Sequence, residues 1–237
     1  MNTTVMALTT RALLGRRRIL LLLPMPLVLI GLTLIGVTSG SGSDGWGPLV
    51  FGGLGLAVVL PLTALIVGSS VLGLEIDDGT ITHLLTKPLP RSEIVLSKLC
   101  VAWLVTTVAV GVPLAISALI AGSPALAAGL VAGALLGSLA YTALFLALSL
   151  ITKRPVAVGL VYIMLWENLL VGFVDGAKVF SVQQHATTFA NTIAKSPMLN
   201  DTVPVVTAMI IAAVFVAVGT VGATLRLRSF ALTGEAT

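Results

Sequence analysis

The chain has 237 residues, of which 57% are hydrophobic and only 9% charged, and its mean hydropathy is +1.11. Soluble domains carry about 25% charged residues, so this composition excludes a soluble enzyme or binding module and identifies a membrane protein, read as one transmembrane domain over residues 1–237. The net charge of +4 is sorted by membrane side and forms no nucleic-acid patch, and the single cysteine, Cys100, excludes an intrachain disulfide or a cysteine metal cluster.

Residues 1–18 end in Arg16, Arg17 and Arg18, and Val5, Leu8 and Ala12 form one weakly apolar helical face. This predicts an N-terminal interfacial helix. The apolar run that follows, about 19–38, is longer than the ~7–15 residue core of a signal peptide, so it reads as a retained first span. A Gly/Ser-rich break leads to the second run, about 49–74. At ~1.5 Å per residue it exceeds the ~30 Å hydrocarbon core, so it tilts, kinks at Pro61, or projects into water.

The third run, about 94–121, closes at Gly122, Ser123 and Pro124, a break so short that spans three and four must be antiparallel. In the fourth run, 125–151, Gly129, Gly133 and Gly137 recur every four residues. Such a face lets helix backbones approach closely in lipid, here against another span of the chain or across a dimer. A basic turn, Lys153 and Arg154, precedes the fifth run, 156–174. The polar segment 175–203 places Val182, Ala186, Phe189 and Ile193 opposite Gln183, Gln184, Thr187 and Asn191. It reads as an exterior amphipathic helix that lies at the interface or dips into it. Pro204 opens the sixth span, 204–225.

Six spans put both termini on one side. That side holds Arg11, Arg16, Arg17, Arg18, Lys87, Arg91, Lys98, Lys153, Arg154, Arg226 and Arg228, leaving Lys178 and Lys195 for the other. The positive-inside rule makes the termini cytoplasmic. The fold expected is therefore all-α, with six transmembrane helices and a charged cytoplasmic loop, 75–93, between spans two and three. The stretch from Glu75 to Lys98 carries four acids (Glu75, Asp77, Asp78, Glu93) and three bases (Lys87, Arg91, Lys98), which calls for water around it.

Asp78-Gly79-Thr80, Leu84-Leu85, Pro88, Arg91 and Lys98 resemble the pattern of the first cytoplasmic loop in permeases of the type-2 ATP-binding-cassette (ABC) exporter family. The order of segments along the whole chain is similar too. The resemblance implies a coupling helix that docks on a separate cytoplasmic ATPase, in a unit of two permeases and two ATPases. Ile81, Leu84 and Leu85 would face the ATPase, and Glu75, Asp77, Asp78, Gly79, Thr80, Lys87 and Arg91 belong to the same coupling stretch. The alternative for the stretch is a solvated loop whose leucines lie on the bilayer. No GxxxxGK[ST] phosphate loop occurs, so this chain is not expected to be an enzyme or to bind a cofactor. ATP and magnesium would belong to the partner. The second permease copy would be identical or homologous, and the location the plasma membrane.

Glu167 is the one acid within an apolar run. With Asn168 and Phe173 it is a candidate for the substrate path, the alternative being a carboxylate reached by exterior water. Phe173, Phe180 and Phe189 read more simply as interface anchors, and His83 and His185 as solvated loop residues on opposite sides, unable to share a metal. The leading function is export of a hydrophobic or amphipathic drug, lipid or peptide. A secondary transporter would show further buried ionisable residues or an internal repeat, and a membrane enzyme more convergent polar groups. An ABC complex that moves an exterior partner protein is the remaining alternative.

Overall fold

The computed structural model describes residues 6, 9–10, 13, 24–40, 42–77, 90–200 and 203–233, and every regular element among them is helical. Helix α1 is Pro24–Thr38. Its 15 residues extend about 22 Å at 1.5 Å per residue, short of the ~30 Å core, and residues 19–23 of the expected first span lie outside the described residues. Five further helices are long and apolar enough to cross a membrane: Gly45–Leu72, Arg91–Ile120, Pro124–Ile151, Pro155–Phe173 and Val205–Leu227.

The first of these belongs to a continuous rod, α2, made of Ser43–Gly47, Pro48–Val59 and Leu60–Asp77. Pro48–Val59 is wound as a π-helix, and the Leu60 N–H bonds to the Gly55 carbonyl, five residues back. Pro61 lacks a donor and its ring crowds the carbonyl four residues earlier. Widening the preceding turns accommodates both effects. Helix α3 is Arg91–Ile120 and α4 is Pro124–Ile151. Between them Gly122 takes a positive φ of 80°, and the Ser123 hydroxyl caps α4 by accepting the Leu126 N–H at 3.3 Å. Helix α5 is Pro155–Phe173, made of two α segments around a π-helical Tyr162–Leu170. A short 3-10 segment, Asp175–Phe180, leads to α6, Val182–Ala194, and α7 is Val205–Thr233.

Helix α4 is the hub, because its small residues admit neighbours on every side. Toward α3, the Thr107 and Ser138 hydroxyls lie 2.6 Å apart and Trp103 Nε1 donates to the Leu135 carbonyl at 2.9 Å. Toward α2, a Cβ on Gly68 would come within 3.3 Å of the Thr142 carbonyl oxygen, and toward α7 one on Gly219 would meet the Ala143 carbonyl oxygen at 2.8 Å. In lipid, contact at this range supplies the attraction that the hydrophobic effect supplies in water. Two apolar clusters result, one containing Phe51, Leu114, Tyr141 and Phe145 and one containing Val71, Ile94, Leu99 and Leu227. Leu104, Val108 and Val112 on α3 and Val206, Ile210 and Val214 on α7 point outward, as lipid-facing residues do.

The segment between α5 and α7, expected to lie at the interface or dip into it, is packed against the bundle. Val182, Ala186 and Ala190 are fully buried, and α6 packs along α4. A Cβ on Gly129 would sit 2.4 Å from the Ala190 carbonyl oxygen, one on Gly133 2.6 Å from the Ala186 carbonyl oxygen, and one on Gly137 2.9 Å from the Ala186 Cβ. The glycines ascend α4 as the alanines descend α6, so the helices are antiparallel. The three-glycine face thus closes on a helix of its own chain. Of the expected apolar face of α6, Val182 and Ala186 are buried, whereas Ile193 is exposed. The seam is Ala186, Ala190 and Ala194, because only small side chains fit against glycine backbone.

Candidate functional site

The charged stretch between α2 and α3 is described only at its two stems. Helix α2 continues through Glu75 to Asp77, and Pro90 caps α3, which opens on Arg91. Glu75, Asp77 and Arg91 therefore lie in the long helices, which reach into the 75–93 stretch from both ends. Asp78, Gly79, Thr80, Ile81, Leu84, Leu85 and Lys87 lie outside the described residues, as does His83. The stems are joined through Lys98. Expected in water, it is buried at 1% exposure and its Nζ donates to the Val71 carbonyl of α2 at 2.9 Å. A buried ammonium needs such a partner.

The N-terminal segment reaches the same end of the bundle. Leu13 belongs to the cluster with Val71, Ile94 and Leu99, and Met6 packs against it; Thr9 is also buried. Met6, Thr9 and Leu13 share the expected i, i+3, i+7 spacing, but one residue out of register with Val5, Leu8 and Ala12, which lie outside the described residues.

A second polar centre lies where α5 meets the start of α6. Within α5 the buried positions Gly159, Ile163, Glu167 and Val171 recur every four residues, so one narrow stripe faces the bundle. Glu167 is 2% exposed, which removes the reading of a carboxylate reached by water. The chain doubles back through the 3-10 segment and brings Ser181 to it. The Ser181 hydroxyl donates to Glu167 Oε2, the Val182 N–H to Oε1 at 3.0 Å and the Tyr162 hydroxyl to Oε1 at 3.2 Å. Ser181 Oγ in turn accepts the Gln184 N–H at 3.2 Å. The Tyr141 hydroxyl lies against the same carboxylate without hydrogen-bond geometry.

Glu167 and Ser181 therefore satisfy N–H groups of α6 that a helix start leaves without partners. A carboxylate at this end also meets the positive end of the helix dipole, worth about 0.3–1 kcal/mol when exposed and up to ~2 when partly buried. Trp166 Nε1 adds a bond to the Phe180 carbonyl at 3.3 Å. The arrangement fastens α6 to α5.

The other two candidates for the substrate path do not join Glu167. Asn168 Nδ2 donates back to the Ile163 carbonyl of its own helix at 2.8 Å, and Phe173 is exposed at the end of α5. His185, expected in solvent, is buried with neither ring nitrogen hydrogen bonded. Burial pushes its pKa down to about 4, so it is neutral at pH 7. Among the described residues no group of His, Cys, Asp and Glu side chains could hold a metal ion.

The family model for the ABC-2 family transporter protein matches residues 14–174, more than half of the 237-residue chain. It runs from the N-terminal segment through the charged stretch and α4 to the end of α5. A comparison with curated proteins finds no match. Among the described residues every regular element is helical and five helices are long and apolar enough to cross a membrane, which fits a membrane permease of an ABC transporter. The chain belongs to the ABC-2 transporter family.

Proposed function

We propose that the chain is the membrane half of an ATP-driven exporter in the plasma membrane, working as a homodimer with two copies of a cytoplasmic ABC ATPase. Membership of the family implies association with such an ATPase; the stoichiometry, the direction and an amphipathic substrate are our reading. The observation that carries it is the family match across residues 14–174, which includes the charged stretch. In this reading α1 completes a sixth span together with residues 19–23, both termini are cytoplasmic, and α6 returns into the bundle from outside. The sorting of 11 of the 13 bases to one side supports that orientation.

The coupling stretch carries the force. Ile81, Leu84 and Leu85 fill a groove on the ATPase, while Asp77, Asp78, Lys87 and Arg91 make rim contacts. The Lys98 bond between α2 and α3 supports this role, because it fixes the distance between the stems, so that movement of the stretch is passed to both spans. ATP and magnesium are bound by the partner. Leu84→Asp and Gly79→Pro are expected to leave the permease inserted and dimeric while ATP-dependent transport falls at least about tenfold, a loss of ~1.4 kcal/mol in coupling. Normal transport in both variants would assign the stretch another role.

A further inference from the structure

We propose that a polar cleft between α2 and α6 receives the uncharged, hydrogen-bonding headgroup of an amphipathic substrate; this rests on the permease reading above and names its substrate class. The cleft has a volume of about 190 Å³ and is lined by Gly52 and Gly53 of α2, by Gln183, Gln184 and Thr187 of α6, and by Asn200. Sites that enclose a whole drug-sized ligand run to roughly 300–1,000 Å³. This one fits a headgroup, with the tail left in the bilayer.

Three features give the cleft its chemistry. First, its polar side chains are carboxamides and one hydroxyl, and none of its lining residues is charged. Carboxamides donate and accept, which suits hydroxyl and amide groups, whereas an ion would be partly desolvated there without a counter-charge. Second, the Gln183 side chain is only partly buried, so its carboxamide is open to the cleft. Third, packing does not account for the glycine floor. On the same rod Gly47 and Gly55 are closely packed, since a Cβ would meet Met198 Sδ at 2.8 Å and Leu114 Cδ2 at 2.6 Å. A Cβ on Gly52 would meet nothing within 4 Å, and one on Gly53 only ordinary contacts at 3.8 Å. The bare backbone there leaves room that the chain itself does not fill. Seating α6 through Glu167 holds the carboxamides opposite that floor.

The test is equilibrium binding to the full-length permease in lipid nanodiscs, using three amphiphiles with one tail: dodecyl glucoside, dodecyl sulfate and dodecyltrimethylammonium. Saturable glucoside binding at least about tenfold tighter than that of either ion is expected, with a loss of about tenfold in Gln183→Leu and in Gly52→Leu. A Cβ at position 52 meets nothing within 4 Å, so the thermal unfolding midpoint should not move. Equal binding of the three headgroups, or glucoside binding unchanged in both variants, would overturn the proposal. Headgroup selectivity in the unaltered protein decides the matter even if a variant misfolds. Measuring ATPase co-purification on the same preparation separates the two readings: selective binding without an ATPase supports the cleft and removes the permease assignment.

Discussion

Gly133→Leu is expected to lower the stability of the folded permease by at least about 3 kcal/mol, toward or beyond the upper end of the cost of overpacking. A Cβ at this position would already lie 2.6 Å from the Ala186 carbonyl oxygen and 2.8 Å from the Ala190 Cβ. Neither is the end of a flexible side chain, so α4 and α6 would have to separate as rods. Separation would also undo the contacts at Gly129 and Gly137 and pull Val182 from Glu167. Gly172→Ala is the control, since a Cβ there meets nothing within 4 Å. Thermal unfolding followed by tryptophan fluorescence should show a large drop for the first variant and little change for the second. Equal stability of the two would contradict the seam.

Glu167→Ala is expected to cost about 3 kcal/mol or more. Truncation strands the Ser181 and Tyr162 hydroxyls and the Val182 N–H, and each buried donor left unsatisfied costs roughly 1–3 kcal/mol. Glu167→Gln keeps an acceptor oxygen of the same reach and should lose no more than about 1.5 kcal/mol. The ordering discriminates between roles. A fastener tolerates Gln and fails with Ala, whereas a group whose charge serves transport loses function in both. Limited proteolysis between α5 and α7 reads the fastening directly, with faster cleavage expected in Glu167→Ala alone.

The sequence makes the apolar segments legible because lipid allows few alternatives: a backbone in hydrocarbon must bond to itself, so long apolar runs become helices. The Gly122 turn and the four-residue glycine spacing on α4 were readable for the same reason. The partner of those glycines was not read from the sequence, although a signal was present: Ala186, Ala190 and Ala194 repeat the same spacing. The polar face of α6 concealed it, since Gln183, Gln184 and Asn191 suggest water where the fold supplies a cleft and helix caps. The Asn191 carboxamide, for example, accepts the Ser196 N–H at 3.0 Å. Composition likewise places Lys98 and His185 in solvent. Lysine, however, has a stem long enough to reach the Val71 carbonyl from within the cluster, and a neutral imidazole can be buried.

Glu167 was identified as exceptional, but its role depended on the chain doubling back 14 residues later, which no local pattern encodes. For the charged stretch, the sequence offers residue identities and the fold offers stems. Asp77 ends α2 and Arg91 opens α3, the two helices that flank the stretch, and Lys98 ties those helices together.

The central claim is that this permease works only with a separate ATPase docked on that stretch. The most direct measurement is the composition and ATP hydrolysis of the complex purified through a tag on the full-length chain from its native membrane. The account predicts an ABC ATPase at about equal stoichiometry, lost when Leu84 is changed to Asp. A pure permease with no ATPase, or an ATPase retained in full by Leu84→Asp and Gly79→Pro alike, would contradict it.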